Sequence, residues 1–122
     1  MNRKHSQHRA VLRDAWVAER ATARTARDSG DTASEWRHLE RAHILSQPMA
    51  VAHIRTHLSM LAFGIRRRDR REVIGQLVRL LVAGPGSLTG RYPAGNTGGA
   101  NISALAVLPI PDDLLIPLGA KS

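Results

Sequence analysis

The spacing of apolar residues in the middle of the chain favours a helical fold. Val51, Ile54, Leu58, Leu61 and Ile65 recur at steps of three and four residues, so they share one side of an α-helix. A stripe of this kind is typical of a helix that faces a core. The expected fold class is therefore all-α.

Similar patterns and helix-breaking residues predict three more helices. Asp31 or Thr32 can cap the second, Pro48 suits the first turn of the third, and Asp69 can cap the fourth. The helices are predicted at about residues 8–28, 32–46, 48–65 and 70–83. We expect four antiparallel helices in hairpins, with a weak likeness to tetratricopeptide repeats over residues 16–83.

The 122 residues are long enough for one small domain with its own core. Within it, residues 1–8 are expected to be a frayed basic N-terminus and 8–83 the helical core. Residues 84–122 are rich in glycine, proline and scattered aliphatic residues. Because flexible linkers have fewer branched aliphatics, we expect an irregular tail that wraps over the helices, with a short strand or helical turn after Pro111.

Composition excludes several classes of site. The chain has no cysteine, which rules out disulfides, thiolate metal sites and a cysteine nucleophile. Its formal charge is +8, from sixteen arginines and two lysines against ten acidic residues, so it should attract anions. No segment has the pattern of a signal peptide or a transmembrane helix, and we expect a cytoplasmic bacterial protein with no membrane partner.

Histidines flank the predicted break at Pro48 in a pattern that suits a metal site. His53 and His57 are four residues apart and share a face of the third helix, while Glu40 and His43 share a face of the second. If the chain reverses at Pro48, the three imidazoles converge. We therefore predict a metal site formed by His43, His53 and His57, with Glu40 as fourth ligand or as a partner of a ligand.

The donor set fits several divalent ions. Zinc is the default for histidine with carboxylate, and nickel and copper accept the same donors. The alternative is that each imidazole only forms hydrogen bonds in a partly polar core. For any one histidine, the hydrogen-bonding interpretation is slightly favoured.

A glycine-rich segment at residues 95–101 is the second candidate site. Its glycines allow backbone N–H groups to point inward and bind an anion, with Arg79 able to approach. The candidate ligand-binding residues are Asn96, Thr97, Gly98, Gly99, Asn101 and Arg79. A tight turn is the simpler interpretation. A third is that the segment folds back over the histidines and shapes their site.

Several motifs together resemble a known family. They are Glu40-Arg41-Ala42-His43, Ser46-Gln47-Pro48, His53-x-x-x-His57, Gly75-Gln76-x-x-Arg79 and the run from Gly95 to Asn101. Over about residues 30–118 the chain resembles a family of small bacterial proteins of unknown function, the domain-of-unknown-function family 3703. The resemblance implies no reaction. Some members of that family lie near heavy-metal-resistance genes, which favours a metal role.

The sequence leaves two functions from different classes open. The first is metal binding in sequestration, sensing or delivery, with a homodimer as an even alternative to a monomer. The second is a helical-repeat interaction module that binds an acidic or phosphorylated partner. Nucleic acid is disfavoured because aromatic residues are only 3% of the chain. No serine nucleophile motif is present, so a non-enzymatic role is favoured over catalysis.

Overall fold

The computed structural model describes residues 2–89, 92–102 and 106–119, with the backbone alone for residues 82–89. These residues form five α-helices and no β-strand, so the predicted all-α class is confirmed. The helices are α1 (Arg3–Asp28), α2 (Thr32–Ser46), α3 (Ala50–Arg67), α4 (Arg70–Thr89) and α5 (Asp112–Leu118).

Short polar side chains fix the start of three helices. The side-chain oxygen of Asn2 accepts from the Lys4 amide at α1, and that of Asp31 accepts from the Ser34 amide at α2. Asp69 accepts from the Glu72 amide at 3.1 Å as α4 begins. Each bond satisfies an amide that the helix itself leaves without a partner.

Three helix boundaries differ from the sequence prediction. Helix α1 begins at Arg3, before the expected start near His8, because Asn2 caps it. Helix α3 begins at Ala50, so Pro48 precedes it instead of lying in its first turn. Helix α4 continues through Gly84-Pro85-Gly86 to Thr89, so the predicted end at residue 83 is wrong.

The helices pack in chain order, α1 on α2, α2 on α3 and α3 on α4. The main core lies between α1, α2 and the C-terminal segment. Its buried members are Leu12, Trp16, Ala42, Ile44, Leu45, Ala52 and Leu114. Leu114, from α5, is 2% exposed, so this part of the tail crosses the first two helices. Asp112 and Asp113 lie in the first turn of α5, and Pro111 occupies the N-cap.

The face of α3 that points inward is the polar one. The predicted core stripe is wrong for Val51, Leu58 and Ile65, which are exposed. The buried residues of α3 are instead Ala52, His53, Thr56, His57, Met60 and Gly64. Burial of histidines in place of aliphatic side chains costs solvation, so their polar atoms must be satisfied inside.

Helix α4 shows the same inversion. Its aliphatic residues at helical spacing, Ile74, Leu77, Val78 and Leu81, are exposed, whereas Glu72, Gln76 and Arg79 are buried. The α3–α4 hairpin therefore presents its polar side to the interior and its aliphatic side outward. None of the described helices has the length and apolar character needed to span a bilayer.

Candidate metal centre

Three histidines from two helices meet in the interior. His43 comes from the end of α2, and His53 and His57 come from successive turns of α3. They are 2%, 6% and 2% exposed, respectively. Among the described residues they form the single group of three or more potential ligand side chains whose donor atoms lie within 4.8 Å of one another.

The three rings turn the same atom toward one point. The Nε2 of His43 lies 3.1 Å from the Nε2 of His57 and 3.0 Å from that of His53, and the third side of the triangle is 3.2 Å. The ring centroids are 4.6 to 4.9 Å apart. The rings therefore converge at their Nε2 ends and diverge behind them.

This triangle has the size that a transition metal requires. An ion about 2.0–2.1 Å from each nitrogen would sit roughly 1 Å out of the Nε2 plane, with N–metal–N angles of about 98°. That angle lies between the facial angle of an octahedron, about 90°, and the tetrahedral angle of about 109°. The three residues thus fit a divalent transition metal with further coordination positions left open.

A backbone carbonyl fixes the protonation of His43. Its Nδ1 lies 2.6 Å from the carbonyl oxygen of Asn96. Because a carbonyl oxygen can only accept, Nδ1 carries the hydrogen and donates it. In the neutral ring, Nε2 then presents a lone pair to the centre of the triangle.

A chain of polar groups on α4 fixes which ring nitrogen of His57 carries the hydrogen. Its Nδ1 donates to the amide oxygen of Gln76. The amide nitrogen of Gln76 in turn donates to Glu72 and to the carbonyl of Gly98 at 2.7 Å, which determines how the amide is oriented. The Nε2 of His57 is therefore also a lone-pair donor. Metal-binding histidines commonly donate their other ring N–H to an acceptor in this way.

Burial keeps His43 and His57 neutral. Loss of solvent lowers the pKa of His43 well below its usual range, and the nearby imidazoles and Arg79 add to that effect. Burial likewise lowers the pKa of His57 to about 4, against the opposing hydrogen bond to Gln76. Both rings are therefore unprotonated at neutral pH, which is the state that binds metal.

The glycine-rich segment closes over His43. Gly98 has φ +84°, and a Cβ at this position would lie 2.6 Å from Cδ2 of the His43 ring. Asn96 holds the turn, because its side-chain oxygen accepts from the Gly98 amide at 2.9 Å. Of the interpretations left open for this segment, the structure shows its backbone packed against the histidines.

Glu40 is not a member of the clustered group. Its carboxylate takes a side-chain hydrogen bond from Thr97. Burial, and to a lesser degree the charge of Glu72, raises the pKa of Glu40 despite that bond. Glu40 and Thr97 thus form a polar pair that links α2 to the glycine-rich segment.

The other candidates of the glycine-rich site are spread around its edges. Arg79 is buried and donates from Nη2 to the Ile102 carbonyl at 2.7 Å. Gly99 faces the Trp36 ring and the Asn101 side chain, which would obstruct a Cβ there. Asn101 is exposed.

Sequence reasoning missed the roles of Glu72 and Gln76. Glu72 accepts from Gln76 and from the Ala100 amide. Arg66, at the end of α3, pairs with Glu35. The available signal was the i, i+4 spacing of Glu72 and Gln76, which puts both on one face of a helix whose other face is aliphatic.

Comparison with known proteins supplies a family and no activity. Neither the curated proteins nor the solved structures include a match to this chain. A family model described as a protein of unknown function, DUF3703, matches residues 10–118. That match covers the helical core, the three histidines and the glycine-rich segment. The chain therefore belongs to the DUF3703 family of proteins of unknown function.

Proposed function

We propose that this protein binds a divalent transition metal ion through Nε2 of His43, His53 and His57. The observation that carries the proposal is the triangle of Nε2 atoms with sides of 3.0 to 3.2 Å. Two of these atoms are lone-pair donors, because Nδ1 of the same ring donates elsewhere. A cation placed between two such lone pairs would be attracted by both.

Zinc is the ion proposed, with nickel and copper as the alternatives that the same donors accept. We propose that Glu40 does not bind the metal directly, because it lies outside the cluster of nitrogen ligands and is hydrogen-bonded to Thr97. The role proposed for the protein is cytoplasmic sequestration, sensing or delivery of metal during metal stress, without turnover of a substrate.

Isothermal titration of zinc, nickel and copper into metal-free protein tests the proposal. The wild type should bind one ion per chain, and the His53→Ala, His57→Ala double variant should lose at least about a hundredfold in affinity because two of three ligands are gone. The matched control is His5→Ala, His8→Ala, which removes two histidines from exposed positions on α1. It should bind as the wild type does.

Equal heats of metal binding in the wild type and the His53→Ala, His57→Ala variant would contradict the proposed metal-binding function. The remaining interpretation would then be the helical interaction module of tetratricopeptide type. Circular dichroism of each variant establishes that loss of binding is not loss of folding.

We also propose that the protein is a homodimer that pairs through the exposed aliphatic side of α3 and α4. Seven exposed side chains form this surface: Val51, Leu58, Ile65, Ile74, Leu77, Val78 and Leu81. With exposed fractions of 49% to 79%, they leave on the order of 700 Å² of aliphatic surface, near the ~800 Å² per partner of a standard interface. A two-fold axis would cover this patch with its own copy.

Sedimentation equilibrium tests the dimer. Leu77→Glu, Leu81→Glu should be monomeric, whereas Val11→Glu, Val17→Glu, which alters two exposed valines of α1, should remain dimeric. A wild type that stays monomeric at about 100 µM would contradict the proposal, since an interface of this size and apolarity should dimerise well below that concentration.

A further inference from the structure

A second concave site lies between α1 and α3, with α2 as its floor. Its volume is about 140 Å³. Typical pockets for drug-sized ligands hold about 300–1,000 Å³. The cavity therefore suits a small ion or a single substituent of a larger molecule.

Arginines dominate the lining of this cavity. Arg20, Arg24 and Arg27 come from α1 and Arg66 comes from α3. Glu35 is the one carboxylate that lines it, and Arg66 occupies both of its oxygens, at 2.7 and 3.2 Å. The remaining three guanidinium groups give the cavity an uncompensated positive charge.

These three arginines have no acidic partner in the part of the chain that the structure describes. Arg20 donates to the hydroxyl of Ser59 at 3.2 Å and stacks 4.9 Å from the centre of the Trp16 ring. Burial, and then the charges of Arg55 and Arg24, lowers the pKa of Arg20. Arg20 is thus held in place by neutral groups while positive neighbours repel it.

The spacing of these residues is itself unfavourable without a ligand. Arg20, Arg24 and Arg27 follow one another at steps of four and three residues, so like charges lie adjacent on one face of α1. Each such pair costs a few tenths of a kcal/mol in an isolated helix, roughly 0.2–0.5. An anion between them would turn this repulsion into attraction.

We propose that the cavity formed by Arg20, Arg24, Arg27 and Arg66 binds a phosphate group. A guanidinium presents paired N–H donors that match the oxygens of a phosphate, and phosphate carries up to two negative charges. The hydroxyl of Ser59 accepts from Arg20 and donates its own hydrogen to the Arg55 carbonyl, so the guanidinium groups are the donors of this site. The group can belong to free phosphate or to a phosphorylated small molecule that projects from the opening.

Calorimetric titration with inorganic phosphate and, separately, with phenyl phosphate tests this site. The pocket variant is Arg24→Gln, Arg27→Gln, two exposed positions of α1 where glutamine keeps helix propensity. The control is Arg9→Gln, Arg13→Gln, which removes the same charge from exposed positions of the same helix outside the cavity. Circular dichroism verifies that both variants are folded.

The wild type should bind with a stoichiometry of one at ~150 mM salt, and the pocket variant should bind at least about tenfold more weakly, with the control within about twofold. Tighter binding of phenyl phosphate than of phosphate would identify a phosphorylated molecule as the ligand, and the reverse would identify free phosphate. Equal weakening in both variants, or no saturable binding below about 10 mM, would overturn the proposal.

Discussion

The side-chain amide of Gln76 accepts the Nδ1 hydrogen of His57 and thereby directs the Nε2 lone pair of that ring toward His43 and His53. Gln76 does not touch the centre of the triad. Its contribution is to select one tautomer, which an isolated histidine does not do.

Replacing Gln76 with methionine should weaken metal binding while keeping the side-chain length. The variant removes the acceptor for Nδ1, and loss of such a partner commonly costs about 10–100-fold in metal affinity. Zinc calorimetry measures the change. Gln47→Met is the control, because Gln47 is also a buried glutamine and donates to the Pro93 carbonyl. Equal affinity in wild type and Gln76→Met would contradict a tautomer-selecting role.

Gly98→Ala should affect stability and the metal site together. The new Cβ would adopt an unfavourable positive φ and press on the His43 ring, so we expect a loss of about 2–4 kcal/mol in unfolding free energy. Gly30→Ala shares the positive φ, +76°, and meets nothing within 4 Å. It should cost only about 1–2 kcal/mol. Urea unfolding and zinc titration of both variants check this. Unchanged zinc affinity in Gly98→Ala would contradict the contact between the glycine-rich segment and the metal ligand His43.

The metal-free protein should lose stability as the pH falls from about 6.5 to about 4. The folded state holds the pKa of His57 at about 4, below the usual 6.5, so only the unfolded chain takes up this proton within that window. The difference amounts to about 3 kcal/mol, and burial of His43 acts in the same direction. Below pH 4 the contribution levels off.

Urea unfolding at pH 7.5 and pH 4 measures this effect. Between these two pH values, His57→Gln should lose about 3 kcal/mol less unfolding free energy than the wild type. His5→Gln, at an exposed position, should behave as the wild type. An identical pH dependence in wild type and His57→Gln would show that His57 is not held neutral by the fold.

Glu40→Gln should leave the number of ligands unchanged. Because Glu40 lies outside the cluster of nitrogen donors, the visible spectrum of the cobalt-substituted protein should keep its band positions, with a change in affinity of less than about tenfold. His57→Gln provides the comparison, since loss of a ligand alters that spectrum strongly. A spectral change of equal size in Glu40→Gln would assign Glu40 as a direct ligand.

The helices and the meeting of the histidines could be predicted from local spacing. His53 and His57 share a face because they are one turn apart, and the break near Pro48 returns the chain past His43. These are short-range relationships, set by helix geometry and one reversal. The same reasoning located the caps at Asp31 and Asp69.

The inverted burial of α3 and α4 could not be predicted in the same way. Periodicity arguments assume that aliphatic stripes face inward, and by that rule Leu77 and Leu81 belong inside and Gln76 outside. The structure reverses them because Gln76 and Glu72 meet partners from residues 98–100, more than twenty positions away. Such pairings depend on how the tail returns, which local spacing does not encode.

The segment at residues 96–98 supports the histidines with main-chain oxygens: Asn96 supplies the acceptor for His43, and Gly98 supplies one for Gln76. Substituting alanine for Thr97 would leave both acceptors in place. Alanine substitution at that position would therefore not report on them. Amide-to-ester replacement in this stretch, which weakens the carbonyl as an acceptor, is the chemistry that would expose what it contributes.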